Sequence, residues 1–189
     1  FAQYAYDLYL YALKKEFFLD NGELSRFTFK NIAFIGIKKL NAYKSVEQFI
    51  EVYKNKIRIE YRDNAVQFIK AALFFSKKEY KKAVVILQQI EFEDILWNLD
   101  AKSMLLKMYF EEKEYEAMLS LAKSYSLFLH RQKNIGIYQS RYKKVISYVL
   151  KLYKHTGSSK NKIKLLETNL LKEKELPEKD WFLEQVQKL

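Results

Sequence analysis

Cysteine is absent from this chain, and its 189 residues include only four glycines and one proline. The absence of cysteine excludes disulfides and thiolate zinc sites, and it fits a reducing compartment, so we expect a cytoplasmic protein. A β-protein needs turn residues about every 8–12 residues, and this chain has too little glycine and proline to supply them. The sequence therefore predicts an all-α fold, in keeping with its many lysine, leucine, glutamate and alanine residues.

Long apolar runs and catalytic motifs are missing as well. No run of about 18 apolar residues occurs, so no membrane-spanning helix is predicted. The chain has no HExxH motif, no glycine-rich phosphate loop and no GxSxG motif. His130 and His155, the only histidines, fall at different predicted helix ends, where histidine commonly caps a helix or lies at the surface. We therefore expect no enzymatic activity, no metal site and no cofactor.

Two stretches of the chain repeat each other at a fixed distance. Phe75 and Tyr80 recur 35 residues later as Phe110 and Tyr115, and the residues around them keep the same order. A recurring unit of this length, with a helix, a short polar turn and a second helix, is typical of a helical solenoid. One such unit cannot bury its apolar side alone, so the repeat predicts helix pairs that pack on one another.

Apolar periodicity predicts about ten helices. They cover residues 1–19, 26–39, 43–56, 58–76, 80–90, a segment that ends near 110, 115–128, 134–155, 160–174 and a segment that begins at Pro177. The first predicted helix has apolar residues on most of its circumference, with Tyr4, Leu8, Tyr11 and Phe18 near one face. We expect Gly22 to end this helix as a left-handed cap.

Polar residues mark the expected starts of two further helices. Ser25 is the expected N-cap of the second helix, and either Asp94 or Asp100 is expected to cap the sixth. Residues 91–94 are interpreted as an acidic loop before that sixth helix. Within the second helix, the small residues Ala33 and Gly36 are expected to let a neighbouring helix approach closely.

The repeated units share a plan: aromatics end the first helix, a polar turn follows, and an aromatic opens the second helix before small and apolar positions. The residues that carry this plan are Phe74, Phe75, Lys77, Lys78, Glu79, Tyr80, Ala83, Leu87 and Ile90 in one copy and Tyr109, Phe110, Glu112, Lys113, Glu114, Tyr115 and Ala122 in the next. In this plan the chain resembles the tetratricopeptide repeat, and it is similar to the C-terminal region of uncharacterised bacterial proteins with such repeats.

The resemblance implies a single right-handed superhelical array of helix pairs over residues 1–189. Its parts would be a capping helix at 1–24, repeats at 25–128, a degenerate basic helix pair at 129–175 and a second capping helix at 176–189. The implied function is noncatalytic: a scaffold or adaptor segment of a larger protein that binds a protein or peptide in a concave groove.

The first helix of each pair is expected to line that groove. The residues implied are Asn31, Ile35, Lys38, Phe68, Phe75, Lys107, Phe110, Lys144, Tyr148 and Lys151. Apolar anchors flanked by lysine suit an extended peptide or a helix with acidic character. The alternative is that the phenylalanines form the core between repeats and that nothing binds there.

Positive charge is concentrated in one part of the chain. The net charge is +11, and residues 130–174 hold 12 lysines and arginines against two acidic residues. The predicted anion-binding residues there are Arg141, Lys144, Lys151, Lys160, Lys162 and Lys164. This segment predicts binding of an anion or RNA, with an acidic protein partner and a merely solvated basic face as alternatives. A further alternative is a structural spacer or dimerisation segment, and the oligomeric state stays open.

Overall fold

The structure is a computed structural model that describes residues 1–90, 94–132 and 135–189. Across these ranges the chain forms ten α-helices and one two-stranded antiparallel hairpin, which confirms the predicted all-α fold. No helix of the described ranges combines the length and apolar character needed to cross a membrane. Residues 91–93 of the acidic loop predicted at 91–94 and the predicted helix start at residue 134 lie outside the described residues.

The chain divides into two compact units, Phe1–Glu93 and Asp94–Leu189, which we call the N-terminal and C-terminal units. The N-terminal unit contains α1 (Ala2–Lys14), β1 (Leu19–Asp20), β2 (Glu23–Leu24), α2 (Arg26–Leu40), α3 (Tyr43–Tyr53), a turn of 3-10 helix (Lys54–Lys56), α4 (Ile59–Ser76) and α5 (Tyr80–Gln89). Helix α2 contacts α1, α3 and α4, and α4 also packs on α5. The predicted pairs α2/α3 and α4/α5 are therefore in contact in this unit.

The C-terminal unit contains the remaining five helices. They are α6 (Ile95–Glu111), α7 (Tyr115–Arg131), α8 (Ile137–His155), α9 (Lys160–Lys172) and α10 (Lys179–Gln187). Helices α6, α7 and α8 contact one another, and α10 packs on α8 and α9. The prediction of one continuous superhelical array stays a prediction.

Two of the predicted helix caps are present, and several predicted helix ends, among them the following two, are wrong. The Ser25 side chain accepts from the Phe27 backbone N–H at 3.3 Å, and Asp94 accepts from two backbone N–H groups at the start of α6. Helix α1 ends at Lys14 rather than near residue 19, and Gly22 lies in the hairpin turn instead of capping the helix. Helix α10 begins at Lys179, two residues after the proline that was predicted to start it.

The hairpin explains the first of these errors. Leu19 pairs with Leu24, and Asp20 pairs with Glu23, so Asn21 and Gly22 form a two-residue turn. Both turn residues have positive φ, 50° and 79°, which is the geometry that Asn-Gly favours between antiparallel strands.

The repeated turn has the same backbone in both copies. Lys78 and Lys113, 35 residues apart, have φ of 61° and 60°. In each copy, the residue that follows donates its backbone N–H to the carbonyl five residues earlier, at 2.9 and 2.8 Å. Ring contacts recur as well, since Phe75 lies 5.6 Å from Tyr80 and Phe110 lies 6.4 Å from the Tyr115 ring.

A polar network stabilises the interior of the C-terminal unit. The Tyr125 hydroxyl donates to the Leu99 carbonyl at 2.9 Å, and Ser103 Oγ lies 2.9 Å from the same hydroxyl. Tyr142 donates to Asp100 Oδ1 at 2.6 Å. Burial raises the pKa of both tyrosines above their ordinary value, because a phenolate would lose its hydration there. These bonds tie α6 to α7 and α8.

Candidate partner-binding surfaces

Helix α1 packs on its neighbours through a narrow face. Tyr6, Ala12 and Leu13 are its buried residues, and Tyr6 Oη lies 3.1 Å from Ser45 Oγ on α3. The Tyr6 ring also lies against Gly36 of α2, where a side chain would fill the space that the ring occupies. This contact fixes which side of α1 faces the core.

The opposite side of α1 exposes large apolar residues. Tyr4, Leu8 and Tyr11 are 71%, 52% and 56% exposed. Their spacing of four and three residues places them along one face of the helix. We call this surface the aromatic stripe. The sequence placed these three residues near one face, but it did not indicate that the core would use Tyr6 and Leu13 instead.

The predicted groove of the N-terminal unit is open at some positions and closed at others. Asn31 and Lys38 are exposed, and Ile35 and Phe75 are half-buried. Phe68, in contrast, is completely buried, and its ring stacks on that of Phe34 with 5.8 Å between centroids. Phe68 therefore belongs to the core, as the alternative interpretation had it, and binding at the other four residues stays a prediction.

The predicted groove of the C-terminal unit is covered by the chain itself. Lys107 and Phe110 on α6 and Tyr148 on α8 are buried. The Trp181 ring of α10 lies 6.0 Å from that of Phe110, and Phe182 lies 6.0 Å from Tyr148. A partner would have to displace α10 to contact these three groove residues.

Lys107 carries a charge that is neutralised inside the C-terminal unit. Its side chain is 3% exposed and forms an ion pair with Glu178, the residue before α10. The Lys107 ammonium also lies 5.6 Å from the Trp181 ring, whose Nε1 donates to Glu111 at 2.7 Å. A buried ammonium needs such partners because burial removes its hydration.

Part of the predicted basic surface on α8 is neutralised too. Lys144 forms a 2.7 Å ion pair with Glu173, which follows α9, and the Tyr148 hydroxyl donates to the same carboxyl group at 3.3 Å. The hydrogen bond from Lys144 lowers the pKa of Glu173, and burial raises the pKa of Tyr148. This pair is therefore an internal contact of the unit rather than an unoccupied anion site.

The other predicted anion-binding residues lie in different surroundings. Arg141 is half-buried, with its guanidinium 5.9 Å from the Tyr138 ring. Lys151 is exposed, and its ammonium lies 4.3 Å from the Tyr148 ring. Exposed residues without an ion pair to any described residue are Lys160, Lys162 and Lys164 on α9. Of the six predicted residues, Lys144 is paired within the unit, and anion binding by the other five stays a prediction.

The part of the chain that the structure describes contains no candidate metal site. No group of three or more His, Asp or Glu residues there could hold a metal ion. His155 lies at the end of α8, with Nδ1 2.7 Å from the Lys151 carbonyl. The expectation that the chain is not an enzyme stays a prediction.

Comparison with family models, curated proteins and solved structures finds no match to this chain. The tetratricopeptide resemblance therefore rests on the repeated residues alone.

Proposed function

We propose that this chain is a noncatalytic recognition module that binds a partner protein through the aromatic stripe of α1. The observation that carries the proposal is the exposure of Tyr4, Leu8 and Tyr11 along one face of a helix whose other face is packed. Contiguous apolar surface of this kind marks interaction sites, whereas single exposed apolar residues need no explanation. Tyrosine suits this role because it combines a large apolar ring with a polar tip.

The occupant that fits the stripe is an amphipathic helix of the partner. Residues spaced by four and three positions form a ridge, and the ridge of one helix packs into the groove of another. Asp7, which accepts from Gln3 at 2.9 Å, is exposed beside the stripe and gives it a polar edge, as is usual around an apolar interface core. An extended strand would find no exposed sheet edge here, only a helix surface.

Site-specific crosslinking tests this proposal. We place p-benzoylphenylalanine at position 8 of the stripe and, as a matched control, at position 52, where Val52 is an isolated exposed residue of α3 in the same unit. We expect an adduct with another protein from position 8, mapped by mass spectrometry to the apolar face of a helix. The combined Tyr4→Ser and Tyr11→Ser variant should reduce that adduct at least about tenfold, because central aromatic contacts dominate binding energy.

Two results would contradict the proposal. Equal crosslinking from positions 8 and 52 would mean that the stripe has no preferred partner. Adducts that join only two copies of this chain, together with a dimer mass by light scattering, would assign the stripe to self-association instead.

A further inference from the structure

An open basic groove lies between α7 and α8 in the C-terminal unit. It has a volume of about 400 Å³ and is bounded by Ser126 of α7 and by Lys143, Ser147 and Lys154 of α8. Spacings of four and seven residues place the three α8 side chains on one helix face. We call this surface the lysine groove.

The lysine groove has positive charge without a matching negative charge. Lys143 and Lys154 are exposed, and neither forms an ion pair with any residue within the described ranges. Lys151 also borders the groove, and no carboxylate is among the residues that line it. From Lys143 to Lys154 the charges extend about 16 Å along α8, at the rise of about 1.5 Å per residue of an α-helix.

The floor of the groove is apolar. Ile146 and Leu150, one helical turn apart, lie between the lysines; Leu150 is half-buried, whereas Ile146 is 4% exposed. A single phosphate group is best held by several donors that converge on one point, whereas these ammonium groups are spread along the helix. The arrangement fits a ligand of similar length that has an apolar face flanked by carboxylates, which describes an acidic amphipathic helix.

Elsewhere in the same unit, a surface with a lysine and an apolar side chain is covered by another part of the chain. On α6, Lys107 and Phe110 are covered by α10, which supplies the Glu178 carboxylate and the Trp181 ring. A carboxylate just before α10 and an aromatic ring on α10 therefore already cover a lysine-and-apolar surface in this unit. The lysine groove likewise combines lysine with apolar residues, and its Lys143, Lys151 and Lys154 are exposed.

We propose that the lysine groove binds an acidic amphipathic helix of a partner protein. The groove shares no residue with the aromatic stripe and belongs to the other unit, so this inference goes beyond the function proposed for α1. Lys151 is the single residue that it shares with the predicted anion-binding residues.

Binding of a designed peptide to the whole chain tests the inference. The probe is a fluorescent peptide of about 15 residues, with leucines at helical spacing and glutamates on both flanks, followed by anisotropy. The double variant Lys143→Glu and Lys154→Glu should weaken binding at least about tenfold, because it replaces attraction with repulsion at the groove. The matched control, Lys44→Glu with Lys81→Glu at exposed lysines of α3 and α5, makes the same change in net charge and should weaken binding less than about threefold.

Further measurements show whether a loss of binding comes from unfolding, and whether the groove prefers a different class of ligand. Circular dichroism checks that each variant folds, and Lys143→Ala with Lys154→Ala replaces the glutamate pair if that pair unfolds. A peptide of the same composition with a scrambled apolar pattern should bind more weakly than the probe. Equal losses in the groove and control variants, or equal binding of the scrambled peptide, would overturn the inference. Displacement of the probe by single-stranded RNA that binds more tightly at the same salt concentration would also overturn it and would assign the groove to nucleic acid.

Discussion

Replacing Gly36 by alanine tests the contact that determines which side of α1 is exposed. An added Cβ would lie 2.5 Å from Val46 Cγ2 on α3 and 3.1 and 3.2 Å from two ring atoms of Tyr6 on α1. Carbon atoms in favourable contact lie about 3.5–4.0 Å apart, so the valine must move by about 1 Å or more. Both neighbours are buried, and a close-packed interior leaves little room for that movement.

Two opposing effects determine the change in the free energy of unfolding. Overpacking of a core commonly costs about 1–3 kcal/mol. Alanine is favoured over glycine within a helix by about 1 kcal/mol, which offsets part of that cost. We therefore expect Gly36→Ala to destabilise the chain by about 0–2 kcal/mol. Because the net effect is small, the decisive quantity is its coupling to Val46.

Truncation of the valine should relieve the clash. In the double variant Gly36→Ala and Val46→Ala, the contacting methyl group is absent, so the cost of the added Cβ should fall by about 1–3 kcal/mol. As a matched control, Val85→Ala removes the same atoms from an exposed valine of α5 and should not couple to Gly36→Ala. Urea unfolding followed by circular dichroism supplies the free energies.

Hydrogen exchange then locates the effect. Trp97 and Trp181 both lie in the C-terminal unit, so tryptophan fluorescence does not report directly on the helices around Gly36. Amide exchange in α1, α2 and α3 should accelerate when Gly36→Ala is added to the wild-type chain, and it should accelerate less when the same change is added to the Val46→Ala variant. Additive free energies, within about 0.5 kcal/mol, would refute the close contact of α2 with α3 at this position.

Two further predictions concern packing and pH. Ala83 is completely buried on α5, so Ala83→Trp should overpack the α4/α5 pair and destabilise the chain by at least about 1–3 kcal/mol; an unchanged urea midpoint would contradict this. Burial raises the folded-state pKa of Tyr125 and Tyr142, so their contribution to stability should be constant below the unfolded-state pKa of about 10 and decrease as the pH rises above it. In that range each buried tyrosine should lower the free energy of unfolding by about 1.4 kcal/mol per pH unit. Tyr142→Phe should therefore reduce the slope of the free energy of unfolding against pH, as measured by tryptophan fluorescence. Equal slopes for the variant and the wild type would refute the burial of the Tyr142 hydroxyl as the cause.

Local rules predicted most of the helices, because their signals lie within a few residues. Ser25 and Asp94 cap helices where short polar side chains precede an apolar periodic segment. The two copies of the repeated turn have the same backbone because the same residue order recurs. The hairpin at Asn21 and Gly22 also has a local signal, since Asn-Gly between short apolar segments favours a two-residue turn. The prediction that Gly22 caps a helix did not take this turn signal into account.

Contacts between distant residues account for what the sequence did not predict. Helix α1 is apolar on most of its circumference, so periodicity alone could not select the packed side. That selection follows from Tyr6 meeting Gly36 and Ser45, which lie 30 and 39 residues away. Similarly, Lys107 is interpreted from sequence as a groove residue, because its partner Glu178 is 71 residues away. Neither contact leaves a local pattern.

The role of the basic segment at residues 130–174 depends on which of its charges are paired within the fold. Of the two acidic residues between positions 130 and 174, Glu173 pairs with Lys144 and accepts from Tyr148. That side of α8 is consequently neutralised, while Lys143 and Lys154, on the adjacent face, lie in the groove without such a partner. Lys160, Lys162 and Lys164 on α9 are exposed as well, but on α8 the positive charge that is available for recognition is on one side of the helix. Because it borders an apolar floor, the partner it selects should offer carboxylates and apolar side chains together.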